Sequence, residues 1–247
     1  MDSSSLRKPR SPFPVRFWKA ANLWYERLLL IVLILVLLIA LWCMYDNYYV
    51  FHHTSDRVAG YKPGTVSSEG TAQEKTISSD MVAWITLDDT NIDYPVMQGE
   101  DNVKYLNTDP FGDYSLAGSI FLDSRNSADF SDDYSLVYGH HMEYGRMFGA
   151  LDDYLDEKYM DSHTTGELLI GREGETAYRL EVFAALQASA LDEAVFEPGK
   201  ADIRAFVRDN AQVYRGRDDR TERILGLSTC SDESASARVV VFCYIME

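Results

Sequence analysis

"GLSTCSDESASARVVVFCYIM", Gly226–Met246, holds two of the three cysteines, Cys230 and Cys243, and between them Arg238 at the head of an apolar run. From Arg238 onward the pattern is that of a strand. Arg238, Val240, Phe242 and Tyr244 share one face, while Val239, Val241, Cys243 and Ile245 share the other. Cys243 therefore reads as core. Cys230 instead ends a separate strand-like run, "RILGLST". A bridge between the two cysteines is open to a pair at this separation, but nothing in the sequence requires one. Most buried cysteines are inert packing residues, so a reactive Cys230 needs support from elsewhere.

Working back along the chain, short strand-like runs dominate. They are "VAWITL", "IDYPVM", "GSIFLD", "SLVYGH", "GELLIG", "YRLEVFAALQA", "RILGLST" and "RVVVFCYIM", most of them separated by turn residues. Gly171 to Gly174 supply the turn of a hairpin in "IGREGETAYRL". Two stretches read as helical: "RMFGALDDYLDEKYMDSH", with Met147, Leu151, Tyr154, Leu155 and Tyr159 on one face, and "ADIRAFVRDNAQVY", with Ile203, Phe206, Val207 and Tyr214. Eight strands with few helices predict a mostly β fold, a small closed barrel.

The N-terminal part is different. Leu28–Met44, "LLLIVLILVLLIALWCM", is an unbroken apolar run, which at about 1.5 Å per residue spans roughly 25 Å, near the lower limit for crossing a bilayer. Trp18, Trp24 and Tyr25 flank it on one side, and Trp42, Tyr45, Tyr48 and Tyr49 on the other, as water–lipid interfaces favour. The following "YDNYYVFHH" offers no small-residue cleavage site, so the run reads as an uncleaved signal anchor rather than a cleaved signal peptide. Residues 1–44 carry six basic and two acidic side chains, leaving seventeen basic and thirty-seven acidic ones beyond them. All six early basic residues precede the span, which places the N-terminus in the cytoplasm and the remainder outside. The expected organisation is a basic cytoplasmic segment (1–27), a transmembrane anchor (28–45), a juxtamembrane helix and Gly/Ser/Thr-rich linker (46–80), and an extracytoplasmic globular domain (81–247). The strongly acidic remainder repels phosphate backbones and argues against nucleic acid as a partner.

A cysteine nucleophile needs a nearby base or cation and a group that stabilises an oxyanion. His140 follows Gly139 at the end of "SLVYGH", Cys230 ends its own strand, and Arg238 begins the last one. All three sit at strand ends, where a rigid sheet holds side chains that loops leave accessible. His140 and the adjacent His141 lack metal-ligand spacing and no Cys-x-x-Cys exists, so neither metal nor cofactor is implied.

"LSTC", followed eight residues later by "RVVVF" and preceded by "VYGHHM" some ninety residues upstream, resembles the sortases, membrane-anchored cysteine transpeptidases of Gram-positive surfaces. "NIDYPVMQGEDNVKYLN", "GSIFLD" and the helix before the last two strands are similar to class B in particular, and the resemblance runs from Met81 to Glu247. It implies an eight-stranded sortase-type barrel and a Cys–His–Arg site: Cys230 as nucleophile, His140 as the histidine, with His141 its neighbour, and Arg238 as the arginine. Asp232 matches an acidic position that orients Arg238 or His140, and reads equally as a solvated loop acid. Ser228, Thr229, Asn102 and Leu106 match substrate-groove positions. The implied partners are exported proteins with a C-terminal sorting signal and, as acceptor, an amine of peptidoglycan precursor or pilin.

Two features depart from the family pattern. Gly226 stands where the family's pentapeptide usually begins with Thr, which is expected to loosen side-chain control near Cys230. Asp109–Phe111, "DPF", matches the lid motif of pilus-building class C sortases, but its place inside the domain makes coincidence the better explanation. Transfer to an amine comes from the resemblance; the residues alone equally permit a cysteine peptidase that releases its substrate. A silent barrel that only binds surface proteins is the third reading.

Overall fold

The structure, a computed structural model, describes residues 13–53, 58, 60–64, 75–217, 219–230 and 237–247. The chain divides into two units, Met1–Val50 and Phe51–Glu247.

The first unit is carried by helix α1, Phe13–His53. Its Phe17–Tyr45 stretch holds an 18-residue window with a mean hydropathy of 3.1, and is long and apolar enough to cross a bilayer by length and composition. Leucine, isoleucine and valine side chains are exposed all around it.

The second unit is a closed barrel. Its strands are β1 (Met81–Leu87), β2 (Asp93–Met97), β3 (Ile120–Leu122), β4 (Tyr134–Tyr138), β7 (Thr165–Ile170), β8 (Thr176–Ser189), β10 (Arg223–Cys230) and β11 (Ala237–Met246). They pair in the order β11-β10-β4-β3-β2-β1-β7-β8, and β8 pairs back onto β11 to close the ring. These eight are the eight strand-like runs of the sequence. Three short strands fall outside those runs: β5 (His141–Met142) pairs with β6 (Arg146–Met147), and β9 (Val213–Tyr214) adds to β8, so Tyr214, expected on the face of the second helical stretch, lies in a strand beyond the helix end at Asn210.

The alternation read from Arg238 onward separates two cores. Val239, Val241, Cys243 and Ile245 join the larger cluster with Trp84, Val96, Leu122 and Leu225. Val240, Phe242 and Tyr244 join a second cluster with Tyr134, Leu136 and Phe183, covered by Val195 of α3 (Glu193–Phe196) and by Ile203 and Val207 of α4 (Ile203–Asn210). Helix α4 starts at Asp202, whose carboxylate accepts from the N–H groups of Arg204 and Ala205, and this satisfies donors a helix start leaves open. Cys243 is a fully buried free thiol, and burial pushes its pKa well up.

The stretch expected as one helix over 146–163 is broken instead. A 3-10 helix, Gly149–Leu155, gives way at Asp156 to the short α2, Glu157–Ser162. Asp156 is extended and caps α2 by accepting from Lys158 and Tyr159 N–H. The apolar stripe is still used, since Met147, Leu151 and Tyr154 are buried. Within the expected linker, Val58 and Ile77 pack into the larger cluster. Asp109 of the "DPF" stretch closes a turn, its carboxylate accepting from Phe111 and Asp113 N–H.

Candidate active site

Strand pairing places three side-chain positions in a row. β10 runs parallel to β4, with Ser228 beside Tyr138, and the N–H of Gly139 donates to the Ser228 carbonyl at 3.0 Å. On its other edge β10 runs antiparallel to β11, where Cys230 lies directly opposite Arg238. Directly paired residues project to one face of a sheet. The order β4, β10, β11 thus brings Cys230 to the same sheet end as His140, with Arg238 across from it. The Cys230 side chain and all of Asp232 lie outside the described residues.

The Gly139–His140 pair has a packing reason. A Cβ at Gly139 would lie 2.5 Å from Ile120 Cδ1 and 2.7 Å from the Phe148 ring, so no side chain fits between the strand and its cover. His140 then turns outward, and its Nε2–H donates to the Leu106 carbonyl at 2.7 Å. That carbonyl is held close by Gly118, which has φ +59 and whose added Cβ would come within 2.5 Å of the Tyr105 and Leu106 oxygens. His141 is directed elsewhere, with Nε2 at 3.1 Å from Asp152 Oδ2.

Around His140 lies a cavity of about 260 Å³, lined among others by Asn102, Leu106, Tyr138, Phe196 and Arg238. The Arg238 guanidinium sits over the Phe196 ring, 5.8 Å from its centroid. Asn102 is committed on both sides of its amide: it donates to Asp123 Oδ2 at 2.9 Å and accepts from Ser124 N–H at 2.7 Å. Of the four residues matched to the substrate groove, Asn102 and Leu106 line this cavity. Ser228 and Thr229 are fully buried, and Ser228 Oγ has no hydrogen-bond partner among the described residues.

Gly226 is explained by its neighbour. A Cβ there would lie 2.6 Å from the Tyr134 hydroxyl oxygen, 3.0 Å from its Cε2 and 3.1 Å from Leu136 Cδ1. The Tyr134 ring fills the space a threonine would need, so the position is packed rather than loosened.

Phe196, Tyr138 and Asp123 have no signal in the sequence. Asp123 merely ends "GSIFLD", yet its carboxylate is fully buried. Burial opposes its ionisation, but hydrogen bonds from Arg125 and Tyr138 outweigh this and hold its pKa below the usual carboxylate value.

The sortase-domain family model matches residues 85–246. Over 188 residues the chain is 35% identical to Sortase B of Listeria monocytogenes, covering 73% of this chain and 74% of that protein. A class B sortase of Streptococcus pyogenes involved in pilus biogenesis superposes with a TM-score of 0.62 at 35% identity, covering 68% of this chain and 94% of the other. The Staphylococcus aureus sortase B–substrate complex gives 0.62 at 30% identity, covering 69% and 82%. The chain belongs to the sortase family, whose members are cysteine transpeptidases. Within the family these relatives place it in class B.

Proposed function

We propose that this sortase is anchored in the membrane by α1, N-terminus in the cytoplasm, and that it cleaves a C-terminal sorting signal of exported proteins through a thioacyl intermediate on Cys230. The acyl group then passes to an amine of the cell wall or of a pilin. The observation that carries this reading is the register: Cys230 ends a strand paired on one side with the strand leading to His140 and on the other with Arg238. The six basic residues before the span support the orientation.

Thiolate attack by Cys230 moves the carbonyl π electrons onto oxygen, and the Arg238 fork donates to that oxyanion. The Leu106 carbonyl occupies Nε2–H of His140, which leaves Nδ1 for proton exchange. Protonated His140 gives its proton to the leaving amine as the C–N bond breaks, forming the thioester. An incoming amine attacks the thioester, neutral His140 takes the amine's proton, and Cys230 leaves as thiolate. Groove recognition is assigned to Asn102 and Leu106, with Ser228 and Thr229 beneath the nucleophile, and Asp232 as the supporting acid.

Product analysis with peptides of candidate C-terminal signals, with and without added triglycine, tests the reaction type. Transpeptidation predicts that the amide-linked product predominates when the amine is abundant. Hydrolysis that persists unchanged under those conditions sinks transfer in favour of a releasing peptidase.

A further inference from the structure

Beneath the cavity wall a charged pair is wired to the site without facing it. Arg125 grips Asp123 as a fork, Nε to Oδ1 at 2.9 Å and Nη2 to Oδ2 at 2.7 Å, and its own N–H adds a third bond to Oδ1 at 2.9 Å. The same Asp123 Oδ2 accepts from Asn102 and from the Tyr138 hydroxyl, each at 2.9 Å. Arg125 Nη2 also reaches across to the Phe196 carbonyl, at 2.6 Å, and ties down the end of α3. Phe196 in turn presents its ring to the Arg238 guanidinium. Three separate pieces of cavity wall, carried by the 102 loop, β4 and α3, therefore converge on one buried carboxylate and its arginine.

We infer that the Asp123–Arg125 pair is a positioning device of the active site, fixing Phe196 so that its ring face holds the Arg238 guanidinium toward Cys230. The inference rests on the reading of Cys230 and Arg238 given above. Arg125 touches no reacting atom. Its planar fork allows one side chain to bind both Asp123 oxygens and still donate to a carbonyl on another element, which a lysine ammonium cannot reproduce. Placing a cation on an aromatic face restrains a long, otherwise mobile side chain. Arg238 stands opposite Cys230 in the strand register, so its position sets how strongly the thiolate is favoured.

The test is the rate of Cys230 alkylation by iodoacetamide at pH 7, read by peptide-mapping mass spectrometry on the detergent-solubilised full chain. Arg125→Lys and Phe196→Leu both preserve net charge, so they change nothing by charge alone. Phe196→Leu also keeps the backbone acceptor of Arg125, which protects the fold; thermal unfolding checks each variant. Each is expected to slow alkylation about threefold to tenfold, as a lower thiolate fraction dictates. In an Arg238→Met background, neither is expected to slow it further, since coupled residues are non-additive. If Arg238→Met slows alkylation but Arg125→Lys and Phe196→Leu do not, the positioning role is overturned while the site reading stands. The positioning role is equally overturned if their effects persist undiminished in Arg238→Met. Should Arg238→Met itself leave the rate unchanged, the pairing of Arg238 with Cys230 fails, and this inference with it.

Discussion

Replacing Gly226 by the threonine usual in the family should damage this protein, and the damage should depend on Tyr134. An added Cβ meets the Tyr134 hydroxyl at 2.6 Å and the Leu136 methyl at 3.1 Å. Neither can retreat easily: Tyr134 is 5% exposed and lies against Phe242, and Leu136 is fully buried. Forcing extra atoms into such a core costs about 1–3 kcal/mol. Relief of glycine's backbone entropy in a strand returns about 0.5–1 kcal/mol. Gly226→Ala should thus be destabilised by about 1–2 kcal/mol, and Gly226→Thr by more. Tyr134→Phe has the opposite sign. The Tyr134 hydroxyl is buried without a partner among the described residues, and removing it should stabilise by about 1 kcal/mol. Because that oxygen is also the nearest clash, Gly226→Ala should cost less in the Phe background, with a coupling of about 1 kcal/mol. Urea titration of the wild type, the three single variants and the Gly226→Ala/Tyr134→Phe double variant, followed by tryptophan fluorescence, reads all these terms. Wild-type stability for Gly226→Thr, or strict additivity of Gly226→Ala with Tyr134→Phe, would refute the packing argument.

Gly118→Ala is expected to lower transfer activity about a hundredfold, because its Cβ displaces the Leu106 carbonyl that holds His140; steady-state kinetics with a cleavable peptide checks it, and normal activity refutes it. Asp123 contributes a pH-dependent share of stability. Its folded pKa is depressed, so the contribution is complete above its unfolded value of about 3.9 and is lost as pH falls through the lower folded value. Asp123→Asn should flatten this acid limb in thermal unfolding scans between about pH 5 and 2, and an unchanged limb counts against it.

The parts of the molecule with a period were legible in the sequence, and the parts built by single contacts were not. The alternation after Arg238 separates the two cores correctly because a strand has only two faces. All eight barrel strands are visible as runs, and the parallel β4–β10 pairing then aligns two strand ends ninety residues apart. By contrast, Asp156 reads as one more polar residue within a helical stripe, and only its capping bonds reveal the break. Val58 and Ile77 are isolated apolar residues in a polar stretch, which no pattern marks as core. The Leu106 carbonyl that orients His140 is a backbone atom and leaves no trace in residue identity. Phe196 belongs to a four-residue helix too short to show a period. Gly226 looks like a lost side chain until Tyr134, from another strand, is seen in its place.

Cys230, flanked by His140 and Arg238, is the residue expected to form the thioacyl bond. Mass spectrometry of the full chain incubated with a library of C-terminal signal peptides tests this directly. The expected result is a single acyl adduct that maps to Cys230, disappears in Cys230→Ala and is discharged by added triglycine. An adduct on the buried Cys243, or turnover that survives Cys230→Ala, would contradict it.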